Sequence, residues 1–228
     1  MPINIQRKLT KTQAVNIVLR GAREHPISSI DDDAINESLI AEQVLDEWSL
    51  QIQGLGLYNN TFERDFTPAT ASSPGIAIGD VVLPPTAISV TPWGPSIRLL
   101  ADARENAGNL KLYDLEDETF NFSALGMVTV RLILQLDWDD LSALQQRSVA
   151  DQAAQEYQMA VVGSPSMDAV LTGRARRSRA EARAENIRKM RPNLFSNSRS
   201  NLGRASTRSV VRPWWPEGDG SESARRMS

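Results

Sequence analysis

The residues that could do chemistry in this 228-residue chain are few: one histidine, no cysteine and several groups of carboxylates. His25 stands beside Pro26 in a short link, and a loop histidine alone supplies neither a dyad nor a His-based metal site. Asp31-Asp32-Asp33 could grip a hard cation, but metal loops alternate ligands with other residues, and three consecutive side chains diverge. The triplet reads instead as charge at a helix N-terminus, as do Asp137, Asp139 and Asp140. Asp114, Glu116, Asp117 and Glu118 read as a solvated turn. Gly54-Leu55-Gly56 lacks the third glycine and the strand-to-helix setting of a dinucleotide loop. With no nucleophile elbow and no phosphate loop, the sequence supports no enzyme and implies no cofactor and no bound metal.

The distinctive chemistry is cationic and lies near the C-terminus. Arg174, Arg176, Arg177, Arg179, Arg183, Arg188, Lys189 and Arg191 follow one another within eighteen positions. Such residues neutralise phosphates, or pair with carboxylates on a protein through the guanidinium fork. Residues 1–172 carry 11 Lys and Arg against 23 Asp and Glu, whereas residues 173–228 carry 14 against 5. An acidic body with a basic end implies a partner for the end that the body does not share. Trp214-Trp215 adds an aromatic pair in a polar stretch, an arrangement suited to filling a pocket on a protein.

Four helices and a strand-rich middle must position these groups. Thr10 or Thr12 caps a first helix to Ala22, with Val15, Val18, Leu19 and Ala22 on one stripe. A second helix runs from the Asp31–Asp33 triplet to about Gln53. On it Ile40, Val44, Trp48 and Ile52 stack at i+4 steps, while Leu39 and Leu50 lie towards the opposite side. That apolar surface is too broad for one partner, so Ile40, Val44, Trp48 and Ile52 are assigned to packing between subunits or deep in a bundle. Between Tyr58 and Leu136 come short strand-like pieces: 58–66, 75–78, 81–83, 87–90, 97–100, 110–113 and 119–122, with a hairpin turn expected at 114–118.

The run Met127 to Leu136 alternates, with Val128, Val130, Leu132, Leu134 and Leu136 on one face of a strand. Asp139 or Asp140 then caps a third helix whose stripe is Val149, Ala153, Tyr157 and Ala160, widened by Ala150 and Val161. A fourth helix from about Ser166 to Met190 is rich in Arg, Ala and Glu and shows almost no apolar stripe, so it needs a partner or frays. The fold class expected is α+β, mainly α: a four-helix bundle with a small β unit inserted between helices 2 and 3, and an extended tail. The divisions are 10–56 and 137–191 for the bundle, 57–136 for the β unit and 192–228 for the polar, basic tail, its last stretch read as disordered. No stretch is long and apolar enough to span a bilayer, and the N-terminus has no signal core, so a soluble chain with no membrane partner is expected.

This order of elements resembles the tail tubular protein A family, the head-to-tail adaptors of short-tailed bacteriophages. The resemblance rests on Ala14-Val-Asn16, Pro26-Ile-Ser-Ser-Ile30, Ala41-x-x-Val-Leu-Asp-Glu47, Gln53-Gly-Leu-Gly-Leu-Tyr-Asn59, Leu110-Lys-Leu-Tyr-Asp114, Phe120 with Phe122, and Leu136-Asp-Trp-Asp-Asp-Leu141. It covers roughly Thr10 to Val162. The family tryptophan is Leu57 here, and a proline often found after the Asp/Leu motif is replaced by Ser142. The resemblance implies a non-enzymatic virion protein of the tail and neck, assembled in the host cytoplasm. Such adaptors form a dodecameric ring between the portal protein and the tail nozzle protein, and double-stranded DNA passes through it. The residues alone leave open a second reading, a nucleic-acid-binding protein with a basic C-terminal arm. On the adaptor reading Arg174, Arg176, Arg177, Arg179, Arg183, Arg188, Trp214 and Trp215 contact the portal.

Overall fold

The computed structural model describes residues 7–28 and 36–190. They form an α+β body of four helices and two small sheets. The helices are α1 (Lys11–Gly21), α2 (Asn36–Gly54), α3 (Ala143–Val161) and α4 (Pro165–Met190), and five strands lie between α2 and α3. The Asp31–Asp33 triplet, and the tail with Trp214 and Trp215, lie outside the described residues.

α1 starts at Lys11, and of the two threonines the sequence offers as caps Thr10 is the one used. Thr10 accepts from the Gln13 amide while the Gln13 side chain accepts from the Thr10 N–H, a reciprocal cap that satisfies two orphan donors. Its buried side chains Val15, Val18 and Leu19 join Ala41 and Leu45 of α2 and Val149, Ala153 and Tyr157 of α3 in one core. α1, α2 and α3 pack on one another, and α4 packs chiefly along α3. A Cβ on Gly21 would stand 3.1 Å from the Ala154 carbonyl oxygen and 3.2 Å from the Ala154 Cβ, so a glycine facing an alanine sets the close approach of α1 to α3.

The sheet order is β1 (Thr61–Phe66), β5 (Val128–Leu134), β2 (Ala87–Pro92), all antiparallel. The alternation read in 127–136 holds at its centre: Val128, Val130 and Leu132 are buried with Val81, Leu83, Leu112 and Phe122 in a second core. A separate hairpin joins β3 (Ala101–Asn106) to β4 (Asn109–Asp114). Its two turn residues, Ala107 and Gly108, both have positive φ, 51° and 75°, the twist that lets a two-residue loop match its strands. Lys111 and Asp80 pair at 2.7 Å inside this unit, each with about 4% of its side chain exposed.

Several expectations change here. The main hairpin is β3–β4, not a pairing of 110–113 with 119–122. Only one isolated bridge, Asp114 with Thr119, closes the acidic turn. Residues 97–100 are no strand; they follow a 3-10 turn at Gly94–Ser96. Segments 75–78 and 81–83 join by single bridges, the latter to Lys111. Asp139 and Asp140 do not cap α3. They sit in a 3-10 turn, Trp138–Asp140, and Ser142 caps the helix by the same reciprocal box with Gln145. Of the α3 stripe, Ala160 and Val161 are exposed. α4 begins at Pro165, one residue before the expected Ser166, because proline's fixed φ and missing donor suit a first helical position.

Candidate functional site

α4 carries the arginines, and its placement decides how they are presented. The helix buries Leu171, Ala175, Ser178 and Ala182, a narrow stripe of mostly small side chains. Small residues bury little apolar area, so polar bonds along its length supply the rest of the attachment. Gln155 donates to Asp168 at 3.3 Å and to Thr172 at 2.8 Å. Ser142 donates to Glu185 at 2.6 Å. Asn186 accepts from the Tyr58 N–H at 2.6 Å and donates to the Gly56 carbonyl at 3.3 Å. Lys189 donates to the Tyr58 hydroxyl at 2.8 Å and lies over its ring. Glu185 and the Tyr58 hydroxyl both raise the Lys189 pKa above its usual value. The partner the sequence demanded for α4 is therefore α3, together with the turn after α2.

The arginines fall into two stripes flanking that buried line. Arg176, Arg179 and Arg183 share one side at i, i+3, i+7, and Arg174, Arg177 and Arg188 share the other. All six are exposed. Arg174 is engaged: its Nε lies 2.8 Å from Asp151, a carboxylate 2% exposed that Arg147 also holds at 3.1 Å. Burial lowers the Arg174 pKa, Asp151 partly offsets this, and nearby Arg147 and Arg20 lower it further. Arg179 is lowered by burial and then by its neighbour Arg183. The Arg188 Nε donates to the Ala184 carbonyl of its own helix.

The α2 residues divide. Ile52 is buried in the chain's own core, and Val44 and Trp48 are half-buried against it. The Trp48 indole N–H also donates to Glu156 on α3. Ile40 is outward, 48% exposed, and so are Leu39 and Leu50. The four-residue spacing thus runs along the boundary between core and surface, and the outward apolar flank is Leu39, Ile40 and Leu50. Sequence reading used Leu39 and Leu50 to argue that the helix needs more than one partner but assigned the packing to Ile40, Val44, Trp48 and Ile52, of which only Ile40 lies on the outward flank.

Among the described residues no three His, Asp or Glu side chains converge on a metal-sized site. His25 is exposed, and Asp137, Asp139 and Asp140 face solvent. Among the same residues no helix is long and apolar enough to cross a membrane.

The described residues thus combine four helices, strands between the second and third of them, a cationic last helix and an apolar outward flank on α2. A family model described as "Tail tubular protein" matches residues 12–192. The chain belongs to the tail tubular protein family. No curated protein matches it. As a tail tubular protein the chain is a structural component of a bacteriophage tail, and its partners include other virion proteins. The family match extends through α4, the arginine-bearing helix.

Proposed function

We propose that this tail tubular protein is the head-to-tail adaptor of a short-tailed phage. It is non-enzymatic and forms a dodecameric ring between the portal protein and the tail nozzle protein, through which double-stranded DNA passes. It works in the virion neck and is assembled in the host cytoplasm. In this reading the four helices, residues 10–56 and 137–191, act as one bundle that builds the ring. Residues 57–136 are an inserted β unit, and residues 192–228 reach the portal. The observation that carries it is the outward flank of α2 on a chain of this family: three large apolar side chains exposed on one helix need a covering neighbour.

The outward arginines of α4, Arg176, Arg177, Arg179, Arg183 and Arg188, are the proposed portal contact, with Trp214 and Trp215 as anchors beyond them. Arg174, paired with Asp151, flanks this set. Ring packing falls to Ile40 with Leu39 and Leu50, because Ile52 is already enclosed and Val44 and Trp48 partly so.

Mass measurement of the purified protein, alone and with portal rings of the same phage, tests the proposal. Complexes of about twelve copies on the portal are expected. Arg176→Gln, Arg183→Gln and Arg188→Gln together should weaken portal binding at least tenfold without unfolding the chain. A persistent monomer that ignores portal overturns the adaptor role. Tight DNA binding that falls steeply with salt and depends on these arginines favours the nucleic-acid reading instead.

A further inference from the structure

Two surfaces of the helical body complement each other and cannot meet within one copy. The first is the outward flank of α2, where Leu39, Ile40 and Leu50 are exposed beside the exposed carboxylates of Glu37 and Glu47. The second is a groove of about 750 Å³ where α1, α3 and the start of α4 come together. Ile17 and Leu171, both nearly buried, lie at its base, and Val170 stands beside them at 71% exposure. Arg20, Arg23, Arg147 and Arg174 line it, and no groove-lining residue is acidic. Asp151 behind it is already shared by Arg147 and Arg174. The groove therefore offers apolar contact inside a cationic rim, and the α2 flank offers apolar side chains among carboxylates.

The two surfaces lie on different sides of the body. Lys11 of α1 turns to α2, where it pairs with Glu42 at 2.7 Å and Asp46 at 3.0 Å. Ile17 and Arg20 fall on the opposite side of the same helix and line the groove. A contact between unlike patches on different sides is heterologous, and repetition of it closes into a ring when the rotation permits.

We infer that the α2 flank of one copy seats in the arginine-rimmed groove of the next, head to tail, and that this is the contact which builds the ring. The inference rests on the adaptor reading and gives its ring a specific interface. Glu37 and Glu47 meet the guanidinium rim, and Leu39, Ile40 and Leu50 cover Val170 and the groove base. Charge sets the register and direction of the contact, and the apolar side chains hold it.

Charge reversal tests it, with ring formation followed by native mass spectrometry on portal. Glu37→Lys with Glu47→Lys reverses the flank, and Arg20→Glu with Arg23→Glu reverses the groove. All four residues are exposed, and circular dichroism checks that each variant is folded. Each variant alone should lose rings at least tenfold. An equimolar mixture of the two should regain them, and so should one chain carrying all four changes, since both interfaces are then complementary again. Because the chain has no cysteine, Leu50→Cys with Val170→Cys gives a second measure: oxidation should yield a ladder of linked copies, and either change alone should yield no ladder. Rings that form equally well in every variant, with no ladder, overturn the interface and leave the adaptor role standing. Intact rings that lose only portal binding when the groove is reversed show a portal segment in the groove and also overturn it. A wild-type chain that never assembles removes the adaptor role first.

Discussion

The helical body and the β unit are stabilised by different means. The β unit has a core of Val81, Leu83, Leu112, Phe122, Val128, Val130 and Leu132, tied by strand ladders and holding one buried ion pair, Lys111 with Asp80. The helical body buries Gln53, Gln145, Gln146, Ser148, Asp151, Gln152 and Gln158 around its alanines. Many of these polar groups bond across elements. Gln146 accepts from the Leu9 N–H and donates to the Trp138 carbonyl, and Gln145 exchanges with Asn59. Backbone ladders together with the apolar alternation and the turns fix strand register, whereas helices that meet through small residues such as Gly21 and Ala154 gain register from side-chain bonds. The β unit is thus specified by backbone pairing and apolar burial, and the helical body by amides aimed at particular carbonyls.

The largest test of that contrast is in the β unit. Asp80→Ala strands the Lys111 ammonium in a buried site and should cost about 3–5 kcal/mol, seen as a lowered melting temperature. Asp80→Ala with Lys111→Met should recover most of the loss, because the pair contributes little beyond its own neutrality. A single change that proves harmless would mean water reaches the site, and the picture of a dry β core would fail. Next comes Gln53→Ala in the helical body. Gln53 accepts from the Leu136 N–H at 2.6 Å and donates to the Leu136 carbonyl at 3.2 Å, so its loss should cost about 1–3 kcal/mol. Hydrogen exchange at Leu136 should speed up more than exchange in β5. Uniform exchange would show that the amide does not tie α2 to the following segment.

The smallest effect expected is Tyr157→Phe. Its hydroxyl donates to the Glu37 carbonyl at a long 3.4 Å, so the change should cost at most about 1 kcal/mol. Burial raises the phenol pKa, with smaller contributions from Glu24 and Glu37, because all three oppose the phenolate. The neutral phenol is therefore held longer in the folded chain. Its stabilisation is complete below the ordinary tyrosine pKa of about 10 and is lost as pH rises through the higher folded value. Urea titrations at rising alkaline pH should show a shallower decline in Tyr157→Phe than in wild type.

Elements with strong local signals were legible in the sequence. A threonine cap at Thr10 or Thr12, the stripe of α1 and the alternation of β5 each depend on neighbours in sequence; the structure uses Thr10 and keeps the stripe and the centre of the alternation. The α3 cap was misread because three acids drew attention from the Ser142/Gln145 box, which has equally plain spacing. β3 was hidden because Ala-Asp-Ala-Arg-Glu-Asn has few apolar residues to alternate, and its turn uses Ala107, a poor residue for positive φ. The α4 stripe was hidden because Ala175, Ser178 and Ala182 become a contact face only against α3. The arginines were legible as a cluster, but their division by the buried line of α4 was not. The groove was out of reach because its cations come from three helices and the turn after α1.

One junction governs how the two halves respond to force. β5 continues through Leu136 and the Trp138–Asp140 turn into α3, while the Gln53 amide fastens Leu136 to α2. A pull on the central strand is consequently divided before it reaches the helices. One share travels along the covalent chain to α3 and the other crosses a side chain to α2. Sheet and helices are thus linked at this point by two routes, one covalent and one through the Gln53 amide.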